Sequence, residues 1–250
     1  MIDNLIPALV LTLLAGLSTG LGSLVCYFVP RPNLRYISIS LGFATGVMIF
    51  VAFVDLFGEA KEAIGLGYTN LFFLIGMLLI YFLDRLVPHT HMNGRVDTQN
   101  QKLYRGGIMM TIGIAIHNLP EGLAVALTSL SDLSLGIPIA IAIAIHNIPE
   151  GMACCVPLYC ATGNRRKSCL YSFTAGMTEP LGAILAVLVL YPFLNEFILA
   201  ASIAFVAGIM VFICFDELIP IANSYGDEHF SNLGIIAGIF VMMIGLTLFQ

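Results

Sequence analysis

The chain has 250 residues and a formal net charge of −5, with 59% hydrophobic and only 10% charged residues, and its mean hydropathy is +0.97. A water-soluble protein of this length cannot bury so much apolar surface, whereas a protein with many membrane spans turns it toward lipid. The sequence has no basic stripe to meet a nucleic acid and no Gly-x-x-x-x-Gly-Lys-Ser/Thr loop to hold ATP.

The first apolar stretch, 4–28, follows Asp3 rather than a basic segment, so it reads as a membrane helix and not as a removable signal peptide. Seven more windows of about 20 apolar residues follow at 36–58, 69–87, 106–128, 134–160, 168–191, 197–221 and 231–249. The fold class is therefore an all-α integral membrane protein with eight transmembrane helices, forming one transmembrane domain over 1–250. Nine of the ten basic residues lie in or beside the first, third and fifth connections: Arg31 and Arg35; Arg85, Arg95, Lys102 and Arg105; Arg165, Arg166 and Lys167. Only Lys61 falls on the other side. The excess of cations on cytoplasmic loops then places both termini outside, in a plasma membrane or bacterial inner membrane.

Within span two, Met48 could offer a soft ligand, though a methionine filling a core gap is the simpler reading. Asp55 and Glu59, four apart near the outer end of the same span, could form an anionic entrance or simply a solvated helix end. The third connection, about 88–104, is the longest polar stretch and carries His89 and His91. Two ligands alone rarely hold a metal, so a flexible linker is the expectation there.

Spans four and five carry the most specific signal. His117-Asn118-Leu119-Pro120-Glu121-Gly122 recurs as His146-Asn147-Ile148-Pro149-Glu150-Gly151, and 112–124 aligns with 141–153 without gaps at ten of thirteen positions. The short connection between them makes the two spans antiparallel, so the copies are related by a two-fold axis in the membrane plane. Imidazole, amide and carboxylate at bilayer depth cost several kcal/mol uncompensated, which marks them as functional. A divalent cation compensates this trio best. His117 and Glu121, like His146 and Glu150, are four apart and predicted to grip one ion from one helix face. Asn118 and Asn147 lie about 100° round the helix from those histidines and border the site. Pro120 and Pro149 should kink their helices and free the carbonyls of Ile116 and Ile145.

Glu179-Pro180 adds a third intramembrane carboxylate in span six. Carboxylate oxygens with imidazole suit Zn²⁺, Fe²⁺, Mn²⁺, Co²⁺ or Cd²⁺. Asp216 and Glu217, before Pro220, could mark an inner exit or be ordinary interfacial carboxylates. The six cysteines form no Cys-x-x-Cys pair and read as small apolar fillers, with neither a disulfide framework nor a thiolate metal site.

At these motifs the chain resembles the ZIP (Zrt-, Irt-like protein) family of divalent-metal transporters. Gly42-Phe43-Ala44-Thr45-Gly46-Val47-Met48 and Asp216-Glu217-Leu218-Ile219-Pro220 are similar as well. The resemblance implies uptake of zinc and other divalent cations into the cytoplasm. Its fold is spans 1–3 and 6–8 as inverted repeats around spans 4 and 5, a 3+2+3 arrangement. It also implies a binuclear centre, with one metal on Glu121, His146 and Glu150 beside His117. The second metal would sit on Asn118, Asn147, Glu121, Glu150 and Glu179. Pro180 after Glu179 departs from the expected apolar residue and bears on local helix geometry. Two full His-Asn pairs favour broad divalent selectivity.

The expected partners are divalent metal ions and the lipid bilayer, a homodimer being the one assembly considered, with no nucleic acid and no cofactor beyond the transported ion. An intramembrane metalloenzyme is the main rival, but the order His-x-x-x-Glu is not the His-Glu-x-x-His that sets a general base beside zinc. A metal sensor is the other. The chain is not expected to be an enzyme.

Overall fold

The computed structural model describes residues 4–28, 34–86, 98–190, 195–225 and 228–249, and all elements among them are helical. They are α1 (Leu5–Ser23), α2 (Val25–Phe28), α3 (Leu34–Phe50), α4 (Phe57–Leu86), α5 (Thr98–Ser131), α6 (Leu133–Thr162), α7 (Arg165–Gly176), α8 (Thr178–Leu185), α9 (Glu196–Ile213), α10 (Ile219–Tyr225) and α11 (Glu228–Phe249). Three π-helical turns extend α3, α8 and α9, at Val51–Leu56, Ala186–Leu190 and Cys214–Leu218. Long helices are what lipid demands, because each satisfies its own backbone polar groups. Polar side chains cap the helix starts at the water-facing turns: Asp132 for α6, Asn164 for α7 and Asn195 for α9.

Six helical stretches are long and apolar enough to cross a membrane: Leu5–Phe28, Ile37–Arg85, Leu103–Leu130, Gly136–Thr162, Glu196–Asn223 and Glu228–Thr247. Ile37–Arg85 is 49 residues long and covers nearly all of two predicted windows, 36–58 and 69–87. It breaks inside α4 at Gly65, whose φ of 76° and ψ of 158° belong to glycine alone. The chain reverses there. Phe57 and Phe73 would be about 24 Å apart along a straight helix, yet their rings meet edge-on with centroids at 5.5 Å. The predicted window 168–191 falls on α7, α8 and the π turn after it, and is divided at Met177. Pro180 has no N–H to donate to the carbonyl of Gly176, which accounts for the break. Met177 N donates to Phe173 O and Leu181 N to Met177 O, so the chain keeps its direction across it.

The helices pack in two groups. In one, α1, α5, α6, α7 and α8 pack on one another; in the other, α4 packs on α9 and α3 on α10 and α11. The groups meet where α3 touches α6 and α5 touches α9. Met48, Met110, Ile114, Met210 and Cys214 are buried along that seam. Large apolar side chains such as Phe28, Leu188 and Ile6, 82%, 75% and 74% exposed, point outward. A hydrocarbon solvent makes that exposure favourable.

The cysteines correct one expectation. Cys26 of α2 and Cys155 of α6 are joined by a disulfide across 129 residues of sequence. No spacing rule could find this pair, because only the packing of α2 on α6 brings the sulfurs together. The other four cysteines are free.

Candidate metal centre

The duplicated motif lies in the middle of α5 and α6, and all seven residues expected to bind metal are buried. His117, Asn118, Asn147, Glu150 and Glu179 are 0% exposed, His146 2% and Glu121 5%. The pairing runs between helices. His117 Nε2 lies 3.1 Å from Glu150 Oε2, and His146 Nε2 lies 3.3 Å from Glu121 Oε1. Residues four apart do share a face, but both faces point into the α5–α6 seam. Each histidine therefore meets the glutamate of the antiparallel copy instead of its own.

The asparagines tie this pair to its flanks in matching fashion. Asn118 Nδ2 donates to the carbonyl of Ala175 on α7 at 3.2 Å, and Asn147 Nδ2 to that of Ala15 on α1 at 3.0 Å. Asn147 Nδ2 also donates to Glu179 Oε2 at 2.7 Å. Because the chain breaks at Met177, Glu179 stands in the first turn of α8, where the positive end of the helix dipole favours a carboxylate. The glycine closing each motif permits these contacts. A Cβ on Gly122 would lie 1.9 Å from the carbonyl oxygen of Glu179, and one on Gly151 1.9 Å from that of Thr19.

Seven buried side-chain atoms here have no hydrogen-bond partner: His117 Nδ1, Asn118 Oδ1, Glu121 Oε2, His146 Nδ1, Asn147 Oδ1, Glu150 Oε1 and Glu179 Oε1. Each of the seven expected ligand residues contributes one. Leaving a buried polar atom unsatisfied costs about 1–3 kcal/mol, so this concentration makes the seven residues candidates for binding a cation.

A cavity of about 170 Å³ reaches the centre from one side, lined by Glu121, His146, Asp55, Glu59 and otherwise mostly apolar residues. Asp55 and Glu59 thus line a space continuous with two of the motif side chains. Met48 is fully buried in the apolar core and is absent from that lining. His89 and His91 lie outside the described residues.

Toward the opposite end, Asp216 and Glu217 stand in a charge cluster whose other members, Asp84 and Arg105, the sequence did not link to them. Arg105 pairs with the Asp84 carboxylate and donates to the Asp84 carbonyl at 3.2 Å. Its other terminal nitrogen lies 3.8 Å from Glu217 Oε1. Asp84, Asp216 and Glu217 are the only three His, Cys, Asp or Glu residues among the described residues whose ligand atoms all lie within 4.8 Å of one another. The midplane centre is more open, built as two crossed pairs. Asp84 is a lone acid beside Arg85 in the sequence, and only its neighbours in space give it meaning. Lys167 reaches over the ring of Tyr104 at this end, 5.9 Å from its centroid.

Helices long and apolar enough to cross a membrane, with imidazole–carboxylate pairs buried between two of them, define a multi-pass membrane protein. The family model described as ZIP zinc transporter matches residues 88–245. The chain is 45% identical to zinc transporter ZupT of Streptococcus mutans, covering 100% of both chains, and 45% identical to that of Oceanobacillus iheyensis, covering 98% and 99%. It is 41% identical to zinc transporter ZupT of Clostridium perfringens, covering 99% and 97%. The chain belongs to the ZIP zinc transporter family.

Proposed function

We propose that this protein carries Zn²⁺ and related divalent cations (Fe²⁺, Mn²⁺, Co²⁺ and Cd²⁺) into the cytoplasm through a two-ion site on α5, α6 and α7–α8. The observation that carries this reading is the pair of crossed His–Glu contacts buried between α5 and α6, in a set of seven buried residues, His117, Asn118, Glu121, His146, Asn147, Glu150 and Glu179, that each keep one side-chain donor or acceptor without a partner. Glu121, Glu150 and Glu179 supply the negative charge that divalent ions need in a low-dielectric interior, and the imidazoles and amides complete a borderline-to-hard donor set. The relatives, zinc transporters all, support zinc as a substrate.

In this reading the Gly65 reversal divides the 49-residue stretch into two spans. The stretch α7–α8 counts as one more, giving eight spans with both termini outside. The reciprocal contacts of Asn118 with α7 and Asn147 with α1 support inverted repeats flanking the central pair. An ion enters by the cavity past Glu59 and Asp55, sheds water and meets Glu121 and His146 at midplane. It leaves past Glu217, Asp84 and Arg105 when one repeat rocks against the other.

The test is accumulation of radiolabelled Zn²⁺ by sealed proteoliposomes containing the purified protein, with the other divalent metals as competitors at two pH values. Saturable accumulation above empty vesicles is expected. Binding without accumulation would replace the transporter with a sensor.

A further inference from the structure

Three sulfurs from three helices meet at one corner of the α1–α5–α6–α7–α8 group. Cys26 of α2 is bonded to Cys155 of α6, and Cys169 Sγ of α7 lies 3.6 Å from Cys155 Sγ. The Cys169 thiol also donates to the carbonyl of Ser23, at the end of α1, at 3.3 Å. Cys26 and Cys155 are buried, at 1% and 0% exposure, in a small apolar cluster with Val25, Val156 and Tyr159; Cys169 packs against that cluster and is half-buried. Arg165, Arg166 and Lys167 precede Cys169 by two to four positions, so the corner lies on the side that cations assign to the cytoplasm. Disulfides are rare there, and those that occur are mostly transient, catalytic or redox-sensing.

We propose that Cys26, Cys155 and Cys169 form a thiol–disulfide exchange site, with Cys169 as the attacking thiol. The Cys169 thiolate attacks Cys155 Sγ; the Cys155–Cys169 bond forms as the Cys26–Cys155 bond breaks. Cys26 leaves as the thiolate and takes up the proton that Cys169 gave up. No electrons leave the trio, so the step needs no outside oxidant. A small cytosolic thiolate then attacks Cys169, the most accessible of the three sulfurs. It forms a mixed disulfide on Cys169 and expels the Cys155 thiolate.

The exchange bears on the metal centre through α6. Cys155 follows Gly151 by four residues, about one turn, and Gly151 rests against Thr19 of α1. Its carbonyl accepts from Ser172 Oγ of α7 at 3.1 Å. Moving the bond from Cys26 to Cys169 therefore changes which neighbour is stapled to α6: the short α2 that follows α1, or α7.

The experiment uses full-length protein purified without reductant. Free thiols are trapped with N-ethylmaleimide in acid, and linked peptides are mapped by mass spectrometry before and after exposure to reduced glutathione. Both Cys26–Cys155 and Cys155–Cys169 linkages are expected in the wild-type protein, and the glutathione adduct is expected on Cys169 first. Cys26→Ser, oxidised with diamide, should retain a Cys155–Cys169 linkage, and Cys169→Ser only Cys26–Cys155. Absence of the Cys155–Cys169 linkage from the wild-type protein overturns the proposal, whether Cys26–Cys155 is intact or all three thiols are alkylated. Since the wild-type map decides, a variant that fails to fold does not protect it.

Discussion

His117 of α5 faces Glu150 of α6 with 3.1 Å between Nε2 and Oε2, although its own helix carries a glutamate four residues on. The reverse pair, His146 with Glu121, is 3.3 Å apart. The unit that the packing builds is therefore a His–Glu pair across the seam. Glu121→Ala or Glu150→Ala should abolish zinc uptake while the protein still inserts, because removing a buried charge eases entry into lipid. Crossed pairing also predicts coupling. His117→Ala with Glu150→Ala should lower affinity little further than either alone, whereas His117→Ala with Glu121→Ala should approach additivity. Binding of Zn²⁺ by the three single and two double variants, measured calorimetrically in detergent, distinguishes the pairings. The reverse pattern would restore ion grips within one helix.

Asn118 and Asn147 each use Nδ2 on a backbone carbonyl and leave Oδ1 without a partner. Changing either to Asp adds a hard, charged oxygen, so the ranking among Zn²⁺, Fe²⁺ and Mn²⁺ should move toward the harder ions more than total capacity changes. Competitive uptake in proteoliposomes reads this directly. An unchanged ranking in both variants would leave the asparagines as helix braces alone.

A protonated imidazole has no lone pair for a metal, and its reference pKa is about 6.5. Metal occupancy should thus fall as pH drops through that region. His146 lines the cavity and His117 does not, so His146→Ala should weaken apparent affinity and flatten the pH profile more than His117→Ala. Zinc binding titrated over about pH 5 to 8 checks this. A double variant with the parent's profile would end the case for histidine ligation.

Gly122 and Gly151 stand where a Cβ would lie 1.9 Å from a neighbouring backbone oxygen. Neither Glu179 nor Thr19 can withdraw its carbonyl without moving a whole helix. Gly122→Ala and Gly151→Ala should each destabilise by about 1–3 kcal/mol, the usual cost of overpacking. Gly58, where an added Cβ meets nothing within 4 Å, serves as control. Thermal unfolding in detergent should show lowered midpoints for the first two and none for Gly58→Ala.

At the turn between α5 and α6, Asp132 accepts from the hydroxyl and the backbone N–H of Ser134 at 2.7 and 2.8 Å. These bonds hold its carboxyl below the usual carboxylate range. A depressed folded value means that the cap stabilises above the unfolded value and is lost as pH falls through the folded one. Hydrogen exchange at the start of α6 should therefore accelerate, after correction for intrinsic rates, only at pH values acid to the ordinary aspartate range. Asp132→Ala should show the faster exchange already at neutral pH.

Much of the protein was decided by the order of its residues. Apolar windows, nine clustered cations, a duplicated His-Asn-x-Pro-Glu-Gly and Glu179-Pro180 pointed to an α-helical membrane protein and its seven candidate ligands, because lipid permits few backbone solutions and penalises every stray polar group. Helical periodicity placed His117 with Glu121 on one face, but it could not say what stood opposite. That partner, Glu150, came from antiparallel packing. The reversal at Gly65 falls in the connection that the apolar windows 36–58 and 69–87 left between them, whereas the break at Met177 depended on a single backbone position inside an apolar run that hydropathy averages away. Asp84 with Arg105, and Cys26 with Cys155 and Cys169, are separated by 21 to 143 residues, and no local pattern links them. Only tertiary structure decides such meetings, since a side chain's chemistry is written in the sequence whereas its neighbours are set by how helices pack.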